Sequence, residues 1–247
     1  MTDFFAATAE RNDPLRTDLI SMILERDAAT PRHRQRELGP SEVGHPCMKK
    51  MALGMSEIQK CNPPYDPLPS IIGVSVHKWL ESAARHANSV LNRHRWSTEI
   101  RVNVAPGLAG SCDLYDHDTA TVIDWKCPGN DRFDKYVKDP GPLYKNQVYL
   151  YGRGFENAGL PVKRVAIAFL PRGRTLHNLH VWRADYDRTI ADNILKRRDA
   201  VIAMMSDFDV DHYPERFEWF PIEPYDCVWC PWFRPQPRTA VECRGDQ

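Results

Sequence analysis

The chain has 247 residues, and its 33 Lys and Arg residues balance its 33 Asp and Glu residues, which gives a formal net charge of zero. This length suits one large domain or one domain with an appendage, and a hydrophobic content of 42% excludes global disorder. Zero net charge excludes a polybasic protein that binds nucleic acid through bulk charge, but not a local basic groove.

The N-terminal sequence MTDFFAATAERNDP has no apolar core of the kind that a secretory signal contains. The longest clean aliphatic run after it, residues 165–170, is too short to span a membrane. We therefore expect a soluble, cytoplasmic protein. Its seven cysteines are an odd number in a chain too large to need disulfides, which favours metal or cluster ligation.

The predicted elements begin with an amphipathic helix that carries Leu15, Leu19 and Ile23, followed by an arginine-rich connector over residues 26–36. Helical spacing of apolar residues then predicts a helix over residues 73–92. The elements predicted further along are strands at 98–104, 108–115 and 121–127, a helix from about 144 to 155, strands at 164–170 and 177–182, and a helix around 190–205. This order indicates an α/β layered domain.

An acidic pattern lies on two neighbouring predicted strands. Asp124 and Lys126 are two residues apart, so they project from the same face of a strand, and a hairpin turn at residues 116–119 can bring Asp113 near Asp124. Two carboxylates and a lysine among apolar residues are costly to desolvate unless they hold a cation, and oxygen ligands suit magnesium or manganese. The alternative is a surface hairpin with a solvated aspartate and a Lys–Asp pair.

Two predicted helices add polar residues to this pattern. His77 lies just off the apolar stripe of the helix at 73–92, and Gln147 and Tyr151 share one face of a later helix because they are four residues apart. A single helical histidine is more often structural than a ligand, so each residue alone is a weak indication.

Taken in order, Gly73-x-x-x-His77, Gly110-x-x-Asp113, Ile123-Asp124-Trp125-Lys126 and Gln147-x-x-x-Tyr151 resemble the successive motifs of the PD-(D/E)XK nuclease superfamily, and its RecB-like exonuclease branch in particular. The resemblance implies a restriction-endonuclease-like α/β core with a central mixed sheet flanked by helices. It implies that His77, Asp113, Asp124 and the Trp125 backbone carbonyl bind magnesium or manganese. It also implies that Lys126 orients or deprotonates the attacking water and that Gln147 and Tyr151 support the phosphate and the site.

Four cysteines form a second pattern. Cys227-x-x-Cys230 is followed by Cys243, and Cys47 lies far upstream, which together provide enough thiolates for a closed iron–sulfur or zinc site. One cysteine before the core and three after it resembles the iron–sulfur nucleases similar to CRISPR-associated RecB-like exonucleases. This resemblance implies a [4Fe–4S] cluster that clasps the two ends of the chain. Zinc and unligated thiols are the alternatives, and Cys61 or His45 could replace Cys243 as a ligand.

The proline clusters and this cysteine pattern divide the chain into three predicted parts. Residues 1–40 form an N-terminal helix and connector, residues 41–220 a nuclease core with the first cluster cysteine, and residues 221–247 a cysteine-rich tail. Cys112 and Cys127 are expected to be small core residues.

Basic residues with nearby aromatic residues predict where nucleic acid could bind, although for each one taken alone a solvated face or a packed core is the more common explanation. We expect some of Lys49, Lys50, Arg132 and Lys135 to line a groove, and Trp229 is among the aromatic residues of the tail.

The combined expectation is a metal-dependent DNA exonuclease that acts on free ends, with a preference for single-stranded DNA, in phage recombination and DNA processing or in CRISPR adaptation. The location would be the host cytoplasm if the chain is phage-encoded. No Gly-x-x-x-x-Gly-Lys-[Ser/Thr] motif is present, so unwinding would need a protein partner, and an oligomer is possible. The alternatives are an endonuclease on the same core and a non-catalytic DNA-binding protein clasped by zinc.

Overall fold

A computed structural model describes residues 13–29, 38–62 and 66–245 of the chain. The helices of these residues are α1 (Pro14–Ala28), α2 (Pro40–Val43), α3 (Met48–Met55), α4 (Leu68–Leu91), α5 (Asn130–Lys138), α6 (Gly141–Asn157) and α7 (Arg188–Asp207). Short 3₁₀ turns lie at Leu176–Asn178, Pro214–Trp219 and Cys227–Trp229. Within the described residues, no helix is both long enough and apolar enough to cross a bilayer.

Five strands form one mixed sheet in the order in which they occur in the chain. They are β1 (Trp96–Ala105), β2 (Leu108–Asp116), β3 (Thr121–Lys126), β4 (Arg164–Phe169) and β5 (His180–Asp185). The β1–β2, β2–β3 and β4–β5 pairs are antiparallel, and β3–β4 is parallel. A parallel neighbour requires a long crossover, which α5 and α6 provide.

The main core lies between the sheet and α6. Val148, Leu150 and Phe155 of α6 are fully buried, and the Phe155 ring stacks on Tyr115 of β2 at 4.8 Å between centroids. The apolar strand β4 is buried along almost its whole length, as expected for a strand that is covered on both faces. This packing fixes α6 against the strands that carry the predicted acids.

A smaller apolar core joins α3 to the C-terminal tail. Met51 and Leu53 of α3 pack with Val201 of α7, with Phe217 of the 3₁₀ turn at Pro214–Trp219 and with Trp232 of the tail. The backbone of residues 61 and 62 also donates hydrogen bonds to the Pro231 carbonyl oxygen. The segment before the sheet and the segment after it are therefore one packed unit.

The structure agrees with most of the predicted elements and corrects some. The fifth strand is β5, three residues later than the predicted 177–182, and α2, α3 and α5 were not predicted. Helix α1 is present, but none of its residues is buried, and Leu15 and Leu19 are exposed. The predicted connector begins inside α1, and its residues 30–36 lie outside the described residues.

Candidate active site and cysteine cavity

The β2–β3 hairpin brings the two predicted aspartates together. Leu114 of β2 pairs with Ile123 of β3. Asp113, one residue before Leu114, accepts at its Oδ2 a 2.7 Å hydrogen bond from the backbone N–H of Trp125. Asp113 therefore lies against β3 beside Asp124, as the hairpin argument expects.

Asp124 is 2% exposed, and its two carboxylate oxygens differ in their surroundings. Oδ1 accepts a 3.1 Å hydrogen bond from Gln147 Nε2. Oδ2 lies 2.5 Å from Lys126 Nζ and forms an ion pair with it. Burial raises the pKa of Asp124 and Lys126 opposes that rise, so the charged form depends on a nearby cation.

His77 of α4 also lies beside these carboxylates. Its Nδ1 lies 3.2 Å from Asp113 Oδ1, and this hydrogen bond raises the pKa of His77 although burial opposes it. Helix α4 packs across β1 and β2, which explains how a residue far from the hairpin in sequence meets it.

Glu99 is a candidate site residue that the sequence analysis missed. Its backbone φ is +51°, rare for a residue other than glycine, and ligand atoms of His77, Glu99 and Asp113 all lie within 4.8 Å of one another. Ile100 pairs with Cys112 and Thr98 with Leu114, so Glu99 between them faces Asp113. Finding Glu99 would have required the register of the β1–β2 pairing, which the sequence alone does not give.

The predicted helix residues Gln147 and Tyr151 are buried on the face of α6 that packs on the sheet. Gln147 Nε2 lies 3.4 Å from Tyr151 Oη while it also contacts Asp124, and burial raises the pKa of Tyr151. Gly110 permits this packing, because a Cβ there would lie 2.6 Å from Pro40 and 3.2 Å from the Tyr151 ring.

These residues fit a divalent cation. Carboxylate oxygens with one imidazole are suitable ligands for magnesium or manganese, and burial and the neighbouring Asp113 carboxylate both raise the pKa of Asp124, as expected where a cation is needed. Lys126 also lies 4.9 Å from the centre of the Tyr144 ring, which holds its ammonium group beside the acids. The ligand role of the Trp125 carbonyl stays a prediction.

A second site is a cavity that all four predicted cluster cysteines line. Cys47 comes directly before α3. Cys227 begins the 3₁₀ turn at Cys227–Trp229, and Cys230 follows it. The backbone of Cys243 forms an isolated β-bridge with that of Phe233. They share the cavity with His45 and Tyr225. The Gly245 backbone N–H lies 3.4 Å from Cys243 Sγ, which orders this sulfur within the cavity wall.

Lys49 and Lys50 also line the cavity, so of the four basic residues among which groove contacts were expected, these two are placed beside the cysteines. Lys49 is only 4% exposed and donates hydrogen bonds to the carbonyl oxygens of Ala240 and Glu242. Burial lowers the pKa of both lysines, and negative charge on the cysteines opposes this. Neither lysine forms a salt bridge with a carboxylate of the described residues.

The other sulfur and imidazole candidates occupy different positions. His45 lines the cavity, but its Nδ1 already accepts a hydrogen bond from the Cys47 backbone N–H. Cys61 lies beside the tail, with Sγ 3.9 Å from the Phe233 carbonyl oxygen, and is not among the residues that line the cavity. Cys112 is buried in the main core, as expected, whereas Cys127 is half-buried.

Comparisons with known proteins show similarity at the level of structure. No family model matches the sequence, and no curated protein sequence matches it significantly. The crystal structure of the exonuclease LHK-Exo in complex with dAMP has a TM-score of 0.50 and 16% identity, over 74% of this chain and 94% of that chain.

Two further crystal structures are more distant. An alkaline exonuclease (LHK-Exo) from Laribacter hongkongensis has a TM-score of 0.49 and 15% identity, over 75% of this chain and 95% of that one. A phage-related exonuclease from Haemophilus somnus 129PT has a TM-score of 0.36 and 15% identity, over 50% and 66%.

The predicted fold class is confirmed. The chain has a mixed α/β fold with a five-stranded central sheet flanked by helices, similar to exonuclease folds of the PD-(D/E)XK type. At this level of identity the likeness concerns the fold, and the chemistry has to be argued from the site.

Proposed function

We propose that this protein is a divalent-metal-dependent deoxyribonuclease that removes nucleotides from free DNA ends, with a preference for single strands. The observation that carries the proposal is the position of Asp124. Its buried carboxylate lies beside that of Asp113, and Lys126 Nζ is 2.5 Å from its Oδ2. The two carboxylates repel each other, which favours a site that holds a cation over a purely structural ion pair.

In this proposal His77, Asp113 and Asp124, with the Trp125 carbonyl, hold magnesium or manganese, and Glu99 adds a further carboxylate. When bound, the metal ion stabilises charge on the scissile phosphate and provides a hydroxide near neutral pH. The His77–Asp113 hydrogen bond orients both side chains before the ion binds.

Lys126 and the α6 residues act on the substrate and on the acids. The Lys126 ammonium group supplies positive charge beside the phosphate and can donate a hydrogen bond that holds the attacking water, whereas only its neutral amine form can take a proton from that water. Gln147 fixes the rotamer of Asp124 through its hydrogen bond to Oδ1, and Tyr151 in turn contacts Gln147. We assign Gln147 and Tyr151 as positioning residues that also support the phosphate.

The fold supports the choice of DNA as substrate, because a solved structure with the same fold is an exonuclease in complex with dAMP. Phage recombination and CRISPR adaptation are the settings in which we place the activity. A protein partner would supply unwinding.

We further propose that Cys47, Cys227, Cys230 and Cys243 hold a [4Fe–4S] cluster. The cavity wall carries two lysines, of which Lys49 is buried and Lys50 partly buried, and both need a negative charge nearby, which a cluster with four thiolates supplies. No three of these four sulfurs lie within 4.8 Å of one another. Tetrahedral zinc would require about 3.8 Å between sulfurs, from Zn–S bonds of about 2.3 Å, so the wider spacing favours the cluster.

Digestion of end-labelled DNA tests the nuclease. Linear DNA labelled at either end and circular single-stranded DNA are incubated with manganese, with the wild-type protein and with Asp124→Ala and Lys126→Ala. We expect loss of label from linear DNA only, and a rate on the order of a thousandfold lower in either variant. Cutting of the circle would assign an endonuclease. No cutting at all, by protein with its cysteine centre intact, would favour the DNA-binding alternative.

Metal analysis tests the cluster. Protein purified without oxygen is assayed for iron, acid-labile sulfide and zinc. We expect about four iron and four sulfide per chain, with brown colour. A colourless protein with one zinc per chain would overturn the cluster and leave the nuclease proposal standing.

A further inference from the structure

The loop between Cys227 and Cys230 presents two large apolar residues to solvent. Trp229 is 52% exposed and Val228 is 60% exposed, and we refer to these two residues as the tip. Exposed tryptophan is unusual, since its ring offers more apolar area than any other side chain. A tight turn that presents such a ring is a candidate for recognition.

The backbone of the tip is rigid. Trp229 N–H donates to the Asp226 carbonyl oxygen at 2.9 Å, and Cys230 N–H donates to that of Cys227 at 2.8 Å. The Asn62 side chain stabilises the same turn, because its Nδ2 donates hydrogen bonds to the carbonyl oxygens of Val228 at 3.1 Å and Cys230 at 2.9 Å. The ring is therefore positioned in advance, which lowers the entropy cost of binding a flat ligand.

A cation accompanies the ring. The Arg132 guanidinium carbon lies 5.1 Å from the centre of the Trp229 ring, a cation–π distance. One helical turn later, Lys135 Nζ lies 3.3 Å from Asp226 Oδ1. Arg132 and Lys135 thus fix the first turns of α5 to the cysteine loop.

Helix α5 also connects the tip to the candidate active site. It begins four residues after Lys126, and Arg132 follows Lys126 by six residues. An extended chain of six residues spans at most about 20 Å. A DNA strand covers this distance in about six nucleotides at roughly 3.4 Å per step. A strand whose end lies at the acids is therefore long enough to reach the tip within a few nucleotides.

We propose that Trp229 and Arg132 form a stacking site for one base of a single DNA strand, in which the base packs on the indole ring and Arg132 contacts a neighbouring phosphate. This inference rests on the proposed function and adds a defined subsite to it. Stacking on tryptophan suits every base, since each base has a π face, so the subsite holds the strand without reading its sequence.

Abasic substitution tests the contact between one ring and one base. Affinities are measured by fluorescence anisotropy for short labelled single strands, each with an abasic site at a different position. The parent protein is Asp124→Ala, which binds without cutting. It is compared with the same protein carrying Trp229→Ala, Trp229→Phe or Arg132→Gln. Trp219→Ala is the matched control, because Trp219 is 53% exposed and also lies near an arginine, with Arg216 at 5.4 Å.

We expect one abasic position to weaken binding by the parent about tenfold and to have no effect on the Trp229→Ala protein. Trp229→Phe keeps part of the effect, and Trp219→Ala keeps all of it. If Trp229→Ala loses the cysteine centre, as judged by its metal content, Trp229→Phe and Arg132→Gln carry the test. An abasic profile that is identical in the parent and in these variants overturns the inference.

The outcome separates this inference from the proposed function. If the wild-type protein cuts DNA but the Trp229 variants keep the abasic profile of the parent, the stacking site alone is refuted. The tip would then remain as a surface for a protein partner. Wild-type protein that neither binds nor cuts DNA would refute both.

Discussion

Asp124 illustrates, at the scale of a single residue, a conflict between stability and chemistry. Burial and the neighbouring Asp113 raise the pKa of this residue, and Lys126 and His77 oppose the rise. A carboxyl whose pKa is raised in the folded state weakens the fold at pH values above that pKa, so removing its charge while keeping its shape leaves stability unchanged or higher. The residue is thus better explained by what it binds than by what it stabilises.

We therefore predict opposite effects for Asp124→Asn. Activity should fall on the order of a thousandfold, since the amide is a poor ligand for magnesium. The free energy of unfolding in metal-free buffer should fall by less than about 1 kcal/mol, or rise. Initial rates with manganese and urea unfolding with EDTA measure the two quantities. Turnover close to that of the wild-type protein would remove Asp124 from the site.

Glu99 allows a test of metal affinity. Glu99→Gln should raise the manganese concentration needed for half-maximal activity about tenfold, with recovery at high manganese, because a carboxylate near the ion is lost. Glu215→Gln changes an exposed carboxylate on the 3₁₀ turn at Pro214–Trp219 and should leave this concentration unchanged. Manganese titrations of the initial rate compare the three proteins, and equal curves would exclude Glu99 as a ligand.

The residues that sequence reasoning missed or misplaced depend on tertiary position. A register shift between Asn103 and Ala105 moves the β1–β2 pairing by one residue, so Glu99 faces Asp113 instead of Leu114. No pattern in the sequence marks this bulge. Lys49 was one of four basic residues among which groove contacts were expected. Its burial was missed, because this burial depends on a tail nearly 200 residues away.

At the scale of elements, the start of α6 lies close to Tyr225 of the tail. Gly141 has φ +78°, and a Cβ there would lie 2.8 Å from Tyr225 Oη. Tyr225 also lines the cysteine cavity, and its ring lies 5.5 Å from that of His45. The helix that carries Gln147 and Tyr151 is thus positioned against the cavity wall.

Gly141→Ala should destabilise the protein by at least about 2 kcal/mol, through both the backbone angle and the clash with Tyr225. Gly107→Ala is the matched control, because φ is +70° there with nothing within 4 Å of a Cβ, and it should cost about 1 kcal/mol. Urea unfolding compares them. Tyr225→Phe should partly rescue Gly141→Ala. Equal losses in the two glycine variants would show that the contact with Tyr225 does not matter.

The β2–β3 turn depends on Asp116, which accepts hydrogen bonds from Arg95, Thr119 and the backbone of Asp118. Burial tends to raise the pKa of Asp116, but the hydrogen bonds from Arg95 and Thr119 outweigh it and hold the pKa below its ordinary value. The charged form therefore stabilises the fold above the ordinary pKa of 3.8, and this contribution is lost as the pH falls through the lowered pKa.

Asp116→Asn should accordingly lower the free energy of unfolding by about 2 kcal/mol at neutral pH. The difference from the wild-type protein should shrink at about pH 3 and below. Urea unfolding at the two pH values measures it. A difference that does not depend on pH would mean that the carboxylate charge contributes nothing.

Element prediction succeeded where periodicity was long and failed where elements were short. The apolar stripe of α4 and the alternation of β1 to β3 were sufficient to predict them. Helix α5 has nine residues and only Phe133 and Tyr136 are buried, so its charges were interpreted only as possible DNA contacts. The helical conformation of α5 depends on its tertiary packing, which cannot be read from its sequence.

At the scale of the whole molecule, the cysteine cavity joins residues from opposite ends of the described chain. If a cluster occupies it, Cys243→Ser should lower the iron content by at least half and expose residues 221–245 to protease. Cys61→Ser should keep both properties, because Cys61 is not among the residues that line the cavity. Iron analysis and limited proteolysis of the two variants provide the comparison, and loss of iron from both would reassign the ligands.

The overall architecture was predictable because the motif order resembles a known superfamily and the sheet preserves chain order. The proposed separation into a core at 41–220 and a tail at 221–247 stays a prediction, although α3 and the tail share one apolar cluster. The exposed apolar residues of α1 could not have been foreseen, since amphipathic spacing reveals a face and not what covers it.

The parallel pairing of β3 with β4 has a consequence for how the protein matures. The β1–β2–β3 hairpins join neighbouring segments and can form early, whereas β4 must await the α5–α6 crossover, a slower, non-local step. Gln147 meets Asp124 only after that crossover is seated on the sheet. We therefore expect nascent chains to pass through a stage in which the β2–β3 hairpin has already brought Asp113 and Asp124 together, while their side chains are still solvated and mobile. Such an immature chain would leave the DNA around it intact until the last strand docks.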